Sequence, residues 1–193
     1  MKPSLVEIRY DLVRKSPDLV AAELNDTILQ VATCRPGIIP DRERKEILKR
    51  AIDLGAVYVD VEIDSDPGFI KNIKDHAAKK SCHLILSYHN YDETPPDSTL
   101  HEILSSCYEL GADVAKIACQ SNSRSDAARL LSLYGAEGRK IVIGMGEGGR
   151  VTRIAALGLG AEFTFAGVST TQETAPGQYG YKEMIEFEKL LKI

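Results

Sequence analysis

Two residues of this 193-residue sequence have types and settings suited to imine chemistry. Lys116 stands in Asp113-Val-Ala-Lys-Ile-Ala-Cys119, an apolar run that follows a helical pattern ending at Gly111. Such a run reads as a buried strand, where lysine is rare. Desolvation disfavours an ammonium, and a lysine that sheds its proton attacks ketones and aldehydes. The plain alternative is a lysine at a strand end with its head in water. His89, in Ser87-Tyr-His-Asn90, closes another apolar run, and imidazole moves protons at neutral pH. Both residues are expected toward the C-terminal ends of their strands, the fifth and fourth in chain order. If those strands are neighbours, an amine nucleophile and a proton carrier lie side by side. Taken singly, His89 reads as a hydrogen-bonded structural histidine.

Other residues could bind what these two act on. Arg9, Arg35 and Arg153 could each clamp a carboxylate through paired N–H groups. The plain alternative for each is a structural ion pair with Glu7, Asp60 or Glu62, and Arg9 shares a strand face with Glu7. Gly144-Met-Gly-Glu-Gly-Gly149 is a glycine-rich turn entering a helix, and its backbone N–H groups could cradle a phosphate. It lacks the Lys-Ser/Thr of a P-loop and the spacing of a dinucleotide fingerprint, so a flexible loop is the simpler reading. Thr174-Ala-Pro-Gly-Gln178 carries polar groups around a fixed turn, and the long connection 169–179 could serve as a lid.

These groups need elements to hold them. Seven apolar runs read as strands: 5–11, 27–35, 58–64, 83–89, 114–119, 140–145 and 162–167. Amphipathic stretches at 41–54, 98–110, 126–134, 150–157 and 181–191 read as helices. This alternation implies a parallel sheet with right-handed crossovers. Length favours an open doubly wound sheet over a (β/α)8 barrel, which usually needs about 250 residues. Side-chain parity favours the barrel. Glu7, Arg9 and Asp11 share one strand face, as do Thr33 and Arg35, as do Asp60, Glu62 and Asp64, as do Ser87 and His89. The opposite faces are apolar. Helices on both sides of an open sheet leave no place for so many polar residues, whereas a barrel gathers them at its C-terminal mouth.

The composition excludes several classes of partner. At this length one domain, 1–193, is expected. The net charge is -4 and the pI about 5.6, with no basic patch for nucleic acid. No apolar run approaches the roughly 18 residues of a membrane span. The first residues lack the apolar core of a signal peptide, so a cytoplasmic location is expected. The four cysteines form no C-x-x-C, which fits reduced thiols rather than structural zinc. The four histidines form no H-E-x-x-H, and no metal site is indicated.

Taken in order, the segments resemble type I 3-dehydroquinate dehydratase, a Schiff-base hydro-lyase of the shikimate pathway. Glu7-Ile-Arg9-Tyr-Asp11 resembles the family's E-x-R-x-D strand, Thr33-Cys-Arg35 its T-x-R and Asp60-Val-Glu62 its D-x-E. Ser87-Tyr-His89-Asn-Tyr-Asp-Glu-Thr94-Pro95 is similar to S-x-H-x-F-x-x-T-P. The run from Gly111 through Lys116 resembles the Schiff-base strand, Met145 with Arg153 the substrate-arginine loop, and Thr174-Ala-Pro-Gly-Gln178 the S-A-P-G-Q loop. The resemblance implies a TIM barrel that converts 3-dehydroquinate to 3-dehydroshikimate without metal or organic cofactor. It implies Lys116 as imine-forming nucleophile and His89 as acid and base. It gives Arg153 to the substrate carboxylate, and Glu7, Arg9, Arg35, Thr174 and Gln178 to the ring hydroxyls and carboxylate. Asp60, Glu62 and Met145 support the site. The family is often dimeric, so a homodimer is compatible.

Three positions depart from the family pattern. The family barrel begins with a strand before E-x-R-x-D that supplies a polar substrate contact. Here the sequence opens at what would be the second strand, which leaves seven strands and a seam for another segment or a partner chain to cover. The family glutamate that orients the histidine, four residues after the T-x-R arginine, is Ile39 here, with Asp41, Glu43 or Glu62 as substitutes. Thr174 replaces the usual serine and keeps the hydroxyl. Two alternatives remain open: a truncated, inactive or impaired homologue, and a class I aldolase with a phosphorylated sugar at the glycine-rich turn.

Overall fold

The computed structural model describes residues 3–24, 27–167 and 177–192. Along these run β1 (Leu5–Arg9), α1 (Tyr10–Val13), α2 (Pro17–Glu23), β2 (Leu29–Thr33), α3 (Asp41–Asp53), β3 (Tyr58–Glu62) and α4 (Pro67–Ala78). They are followed by β4 (His83–Asn90), α5 (Asp97–Glu109), β5 (Val114–Gln120), α6 (Arg124–Ser132), β6 (Lys140–Met145), α7 (Arg150–Gly158) and α8 (Tyr181–Leu191). The six strands follow one another in chain order, as alternating strands and helices require of a parallel α/β fold. The chain falls into two compact units, Met1–Ser87 with Leu110–Asp113, and Tyr88–Glu109 with Val114–Ile193.

In the first unit the register confirms the parity reading. Arg9 lies opposite Thr33, Thr33 opposite Asp60, and Glu62 opposite Ser87. Glu7, Arg9, Thr33, Asp60, Glu62 and Ser87 therefore share one face. The other face carries Ala32, Val59, Val61, Leu84 and Leu86, all buried. On α3, Arg44, Leu48, Ala51 and Ile52 recur at helical spacing and are buried, and Gly55 with φ +97° follows the helix end. Two helices went unread in the sequence although their start signals are present. Ser16 and Asp66 cap α2 and α4, accepting the Leu19 and Phe69 amides, and a proline follows each cap.

In the second unit β5 and β6 pair in parallel, with Lys116 opposite Ile141 and Gln120 opposite Met145. Leu100, Leu104 and Cys107 of α5 are buried, as are Ala127 and Leu130 of α6, Ala156 of α7 and Met184 of α8. The expected seventh strand does not form among the described residues. Glu162 N–H donates to Lys140 O at 2.9 Å, as a strand start should, but 163–166 carry no strand pairing. Gly167 instead bonds Tyr179 and Tyr181 and forms an isolated bridge with Gly180. The run thus directs its last backbone groups to the head of α8 rather than along a ladder. The first strand also stops short: its chain turns helical at Tyr10, so Asp11 lies in α1 and not on β1.

Candidate active site

Lys116 is the third of seven residues in β5, inside the strand rather than at its end as expected. Its neighbours Ala115 and Ile117 are fully buried, and Lys116 itself is only 4% exposed, which removes the snorkelling alternative. Its Nζ lies 4.4 Å from the centroid of the Phe165 ring, an arrangement that holds a cation on an aromatic face. The carbonyl of the same Phe165 accepts from Arg153 Nη1 at 3.4 Å. Arg153 is on α7 and is 1% exposed. One residue thus touches both the candidate nucleophile and the candidate carboxylate partner. Phe165 was absent from the sequence reading; its signal was only an alternating Phe163-Thr-Phe165 run.

Lys140 is a second buried lysine, 3% exposed, and sequence reasoning passed over it. It opens an apolar run, as the first residue of β6. Its ammonium, however, donates to Ala136 O at 2.6 Å and Gly138 O at 2.7 Å, although burial lowers its pKa. An amine committed to two backbone carbonyls closes a turn. Lys140 is thereby accounted for structurally, and Lys116, mid-strand and against the Phe165 ring, is the nucleophile candidate.

His89 is the seventh of eight residues in β4, near the strand end as expected, and is half-buried. Its ring stacks on Tyr91, with centroids 6.0 Å apart and planes 20° from parallel. Met145 ends β6 and is buried. Gln178 is buried one residue beyond Gly177. Thr174 and most of the expected lid lie outside the described residues.

The glycine-rich turn has a steric explanation. A Cβ on Gly149 would stand 2.2 Å from Gly144 C, one on Gly148 2.5 Å from Ser121 O, and one on Gly177 2.5 Å from Gly146 O. These glycines allow backbones to touch. The turn therefore needs no phosphate to account for its composition, and the aldolase alternative loses its support.

In the first unit the polar strand face is a web of ion pairs. Arg9 pairs with Asp11, Nε to Oδ1 at 3.0 Å and Nη2 to Oδ2 at 2.6 Å. Asp11, which the turn into α1 brings back beneath it, thus takes both of these bonds, and Glu7 adds a weaker electrostatic attraction. Asp11 also accepts the Arg35 amide at 3.1 Å. Burial alone would raise the Asp11 pKa, but the Arg9 and Arg35 bonds outweigh it and hold it below the usual value. Glu7 accepts from Thr33 Oγ1 at 2.9 Å. Arg35 pairs with Glu62, donates to Ser87 Oγ at 3.0 Å and stands 3.5 Å from Asp60. Ser87 in turn donates to Asp60 at 2.6 Å. Of the carboxylates offered as histidine supports, Asp41 is bound to Arg44 at 2.5 Å and Glu62 to Arg35.

The four cysteines are free and buried. Burial pushes Cys34 up to about 11 and the other three thiols up to about 12. Among the described residues no group of three His, Cys, Asp or Glu side chains could hold a metal, and no helix is long and apolar enough to cross a membrane.

Comparison with known proteins bears on these features. The family model described as type I 3-dehydroquinase matches residues 1–193. A 3-dehydroquinate dehydratase of Aquifex aeolicus is 34% identical over 196 residues, spanning 96% of this chain and 86% of the relative. The crystal structure of the 3-dehydroquinate dehydratase of Geobacillus kaustophilus superposes with a TM-score of 0.87 at 26% identity, covering 99% of this chain and 81% of that one. The type I enzyme of Clostridium difficile, solved with covalently modified comenic acid, superposes with a TM-score of 0.86 at 25% identity, covering 97% and 82%. The chain belongs to the type I 3-dehydroquinase family.

Proposed function

We propose that this chain eliminates water from 3-dehydroquinate to give 3-dehydroshikimate through an imine on Lys116. The observation that carries this is the buried mid-strand amine of Lys116 on the Phe165 ring, with Arg153 bound to the same residue. The Lys116 amine adds to the ring ketone, and loss of one water leaves an iminium. The iminium draws electrons from the adjacent carbon, and His89 removes a proton there to give an enamine. His89 then returns that proton to the departing hydroxyl, which leaves as water while the enamine reverts to iminium. A water hydrolyses the iminium and frees Lys116, so the net change is loss of one water.

Arg153 pairs with the substrate carboxylate. Glu7, Arg9, Arg35, Thr174 and Gln178 hold ring hydroxyls and carboxylate, and Asp60, Glu62 and Met145 support them. The ion pairs of Arg9 with Asp11 and Arg35 with Glu62 favour hydroxyl binding by those arginines, because part of each guanidinium is already occupied. We read 1–193 as one β/α-barrel domain, cytoplasmic and homodimeric as family members often are. Sedimentation velocity tests the dimer.

Borohydride added with 3-dehydroquinate is expected to leave a reduced adduct on Lys116, seen by peptide mass spectrometry. Trapping that survives Lys116→Ala would remove Lys116 from the mechanism. His89→Ala is expected to slow turnover about 10²–10⁴-fold while trapping persists at a reduced rate.

A further inference from the structure

We infer that Thr94 is a positioning residue that sets His89 against Lys116. Its hydroxyl donates to Gln120 O at 2.7 Å, and Gln120 is the last residue of the strand that carries Lys116. Thr94 lies five residues after His89 in the loop that follows β4 and is 6% exposed, so water does not replace this bond cheaply. The same loop is tied a second time, where Asn122 Nδ2 donates to Asp92 O at 2.9 Å. Arg129 of α6 donates to Thr94 O at 3.2 Å and pairs with Asp126 at 2.5 Å, which fixes the loop backbone on that side. Asn90, next to His89, accepts the Asp92 and Glu93 amides at 3.0 Å each and makes the loop rigid between histidine and threonine. Histidine and lysine thus stand at two ends of one hydrogen-bonded path: His89, the Asn90 turn, Thr94, Gln120, and back along β5 to Lys116.

The consequence is mechanical. Imine formation and proton transfer need the two groups in one narrow geometry, and a displacement of about 1 Å can lower a rate about 100-fold. Thr94 touches no reacting atom in this scheme and acts through the groups it connects. The inference rests on the roles proposed above for Lys116 and His89.

Thr94→Val keeps the shape and removes the donor, while Thr94→Ser restores it. In Thr94→Val the expected result is a kcat about 10–100-fold lower with KM within about 3-fold, and in Thr94→Ser recovery to within about 3-fold of the parent. Borohydride trapping with 3-dehydroquinate, run to completion, counts folded chains with a competent Lys116, and kcat is normalised to that count. A Thr94→Val chain that traps fully and turns over at the parent kcat would overturn the inference alone. So would a loss that lies wholly in KM, or one that Thr94→Ser does not restore. If the unaltered chain gives no Lys116 adduct, the proposed mechanism falls, and the inference with it.

Discussion

Replacing Asp11 by asparagine isolates one carboxylate that restrains two arginines. Its oxygens accept three bonds, from Arg9 Nε at 3.0 Å, Arg9 Nη2 at 2.6 Å and the Arg35 amide at 3.1 Å. Asparagine is nearly isosteric but keeps one acceptor oxygen and turns a donor toward the guanidinium. Charge-assisted bonds contribute about 1.5–3 kcal/mol each, and breaking a fully buried pair costs about 3–5 kcal/mol. The Asp11 carboxylate is fully buried, but the Arg9 side chain is 27% exposed, so water recovers part of the loss. The expected cost is about 2–3 kcal/mol, or a Tm lower by about 4–12 °C for a chain of this size. The sequence has no tryptophan, so urea unfolding is best followed by far-UV circular dichroism. The pH dependence is the sharper test. Arg9 and the Arg35 amide hold the folded pKa of Asp11 below its unfolded value of about 3.9 despite burial. Its contribution is therefore fully present above about pH 5 and is lost as pH falls through the folded value. The stability gap between parent and Asp11→Asn should be constant from pH 8 to 5 and narrow below about pH 4. A gap under about 0.5 kcal/mol at pH 7, or one unchanged at pH 3.5, would refute the assignment of Asp11 as the restraint.

Three further outcomes are expected. Lys140→Met removes the donor to Ala136 O and Gly138 O and should cost about 1–3 kcal/mol in urea unfolding, with Lys116 trapping intact; loss of trapping would mean the lysines were wrongly distinguished. Gly177→Ala places a Cβ 2.5 Å from Gly146 O at φ +78° and should cost about 1–3 kcal/mol. Gly158→Ala, with open space around its Cβ, should cost nothing, and equal effects would deny the close contact. A thiol reagent at pH 8 should leave all four cysteines unlabelled in the folded chain and label them in urea, because burial holds their pKa values at about 11 to 12. Rapid labelling of the native chain would contradict that burial.

The polar faces of the first four strands were legible because strand parity has a period of two and one misplacement would invert every residue. Arg9, Thr33, Asp60 and Ser87 fall on one face as read. The partner of Arg9 was not legible. Asp11 looked like the next residue on that face, but the chain leaves the strand at Tyr10, and only the turn brings the carboxylate back. Lys116 was read as buried and placed too near the strand end, since burial follows from the apolar run while position depends on where pairing stops. The run 162–167 had a strand's composition, yet its terminal backbone bonds went to the start of α8. Helix α4 carries its signals in the sequence, with Asp66 as cap, Pro67 after it and Phe69, Ile70, Ile73 and Ala77 at helical spacing. Phe165 could not be foreseen, because contact with Lys116 and Arg153 is a tertiary fact with no local signature.

The touching glycines limit how this protein can be made more stable. Each glycine leaves the unfolded chain with extra freedom, about 0.5–1 kcal/mol relative to alanine. Proteins commonly shed that entropy by exchanging glycine for alanine where the fold permits. Here Gly144, Gly148, Gly149 and Gly177 cannot make the exchange, because any Cβ would enter another backbone. Gly135 and Gly158 can, having open space and ordinary φ. Mutational tolerance along this stretch should therefore be uneven between neighbouring glycines, with selection tightest where chain meets chain.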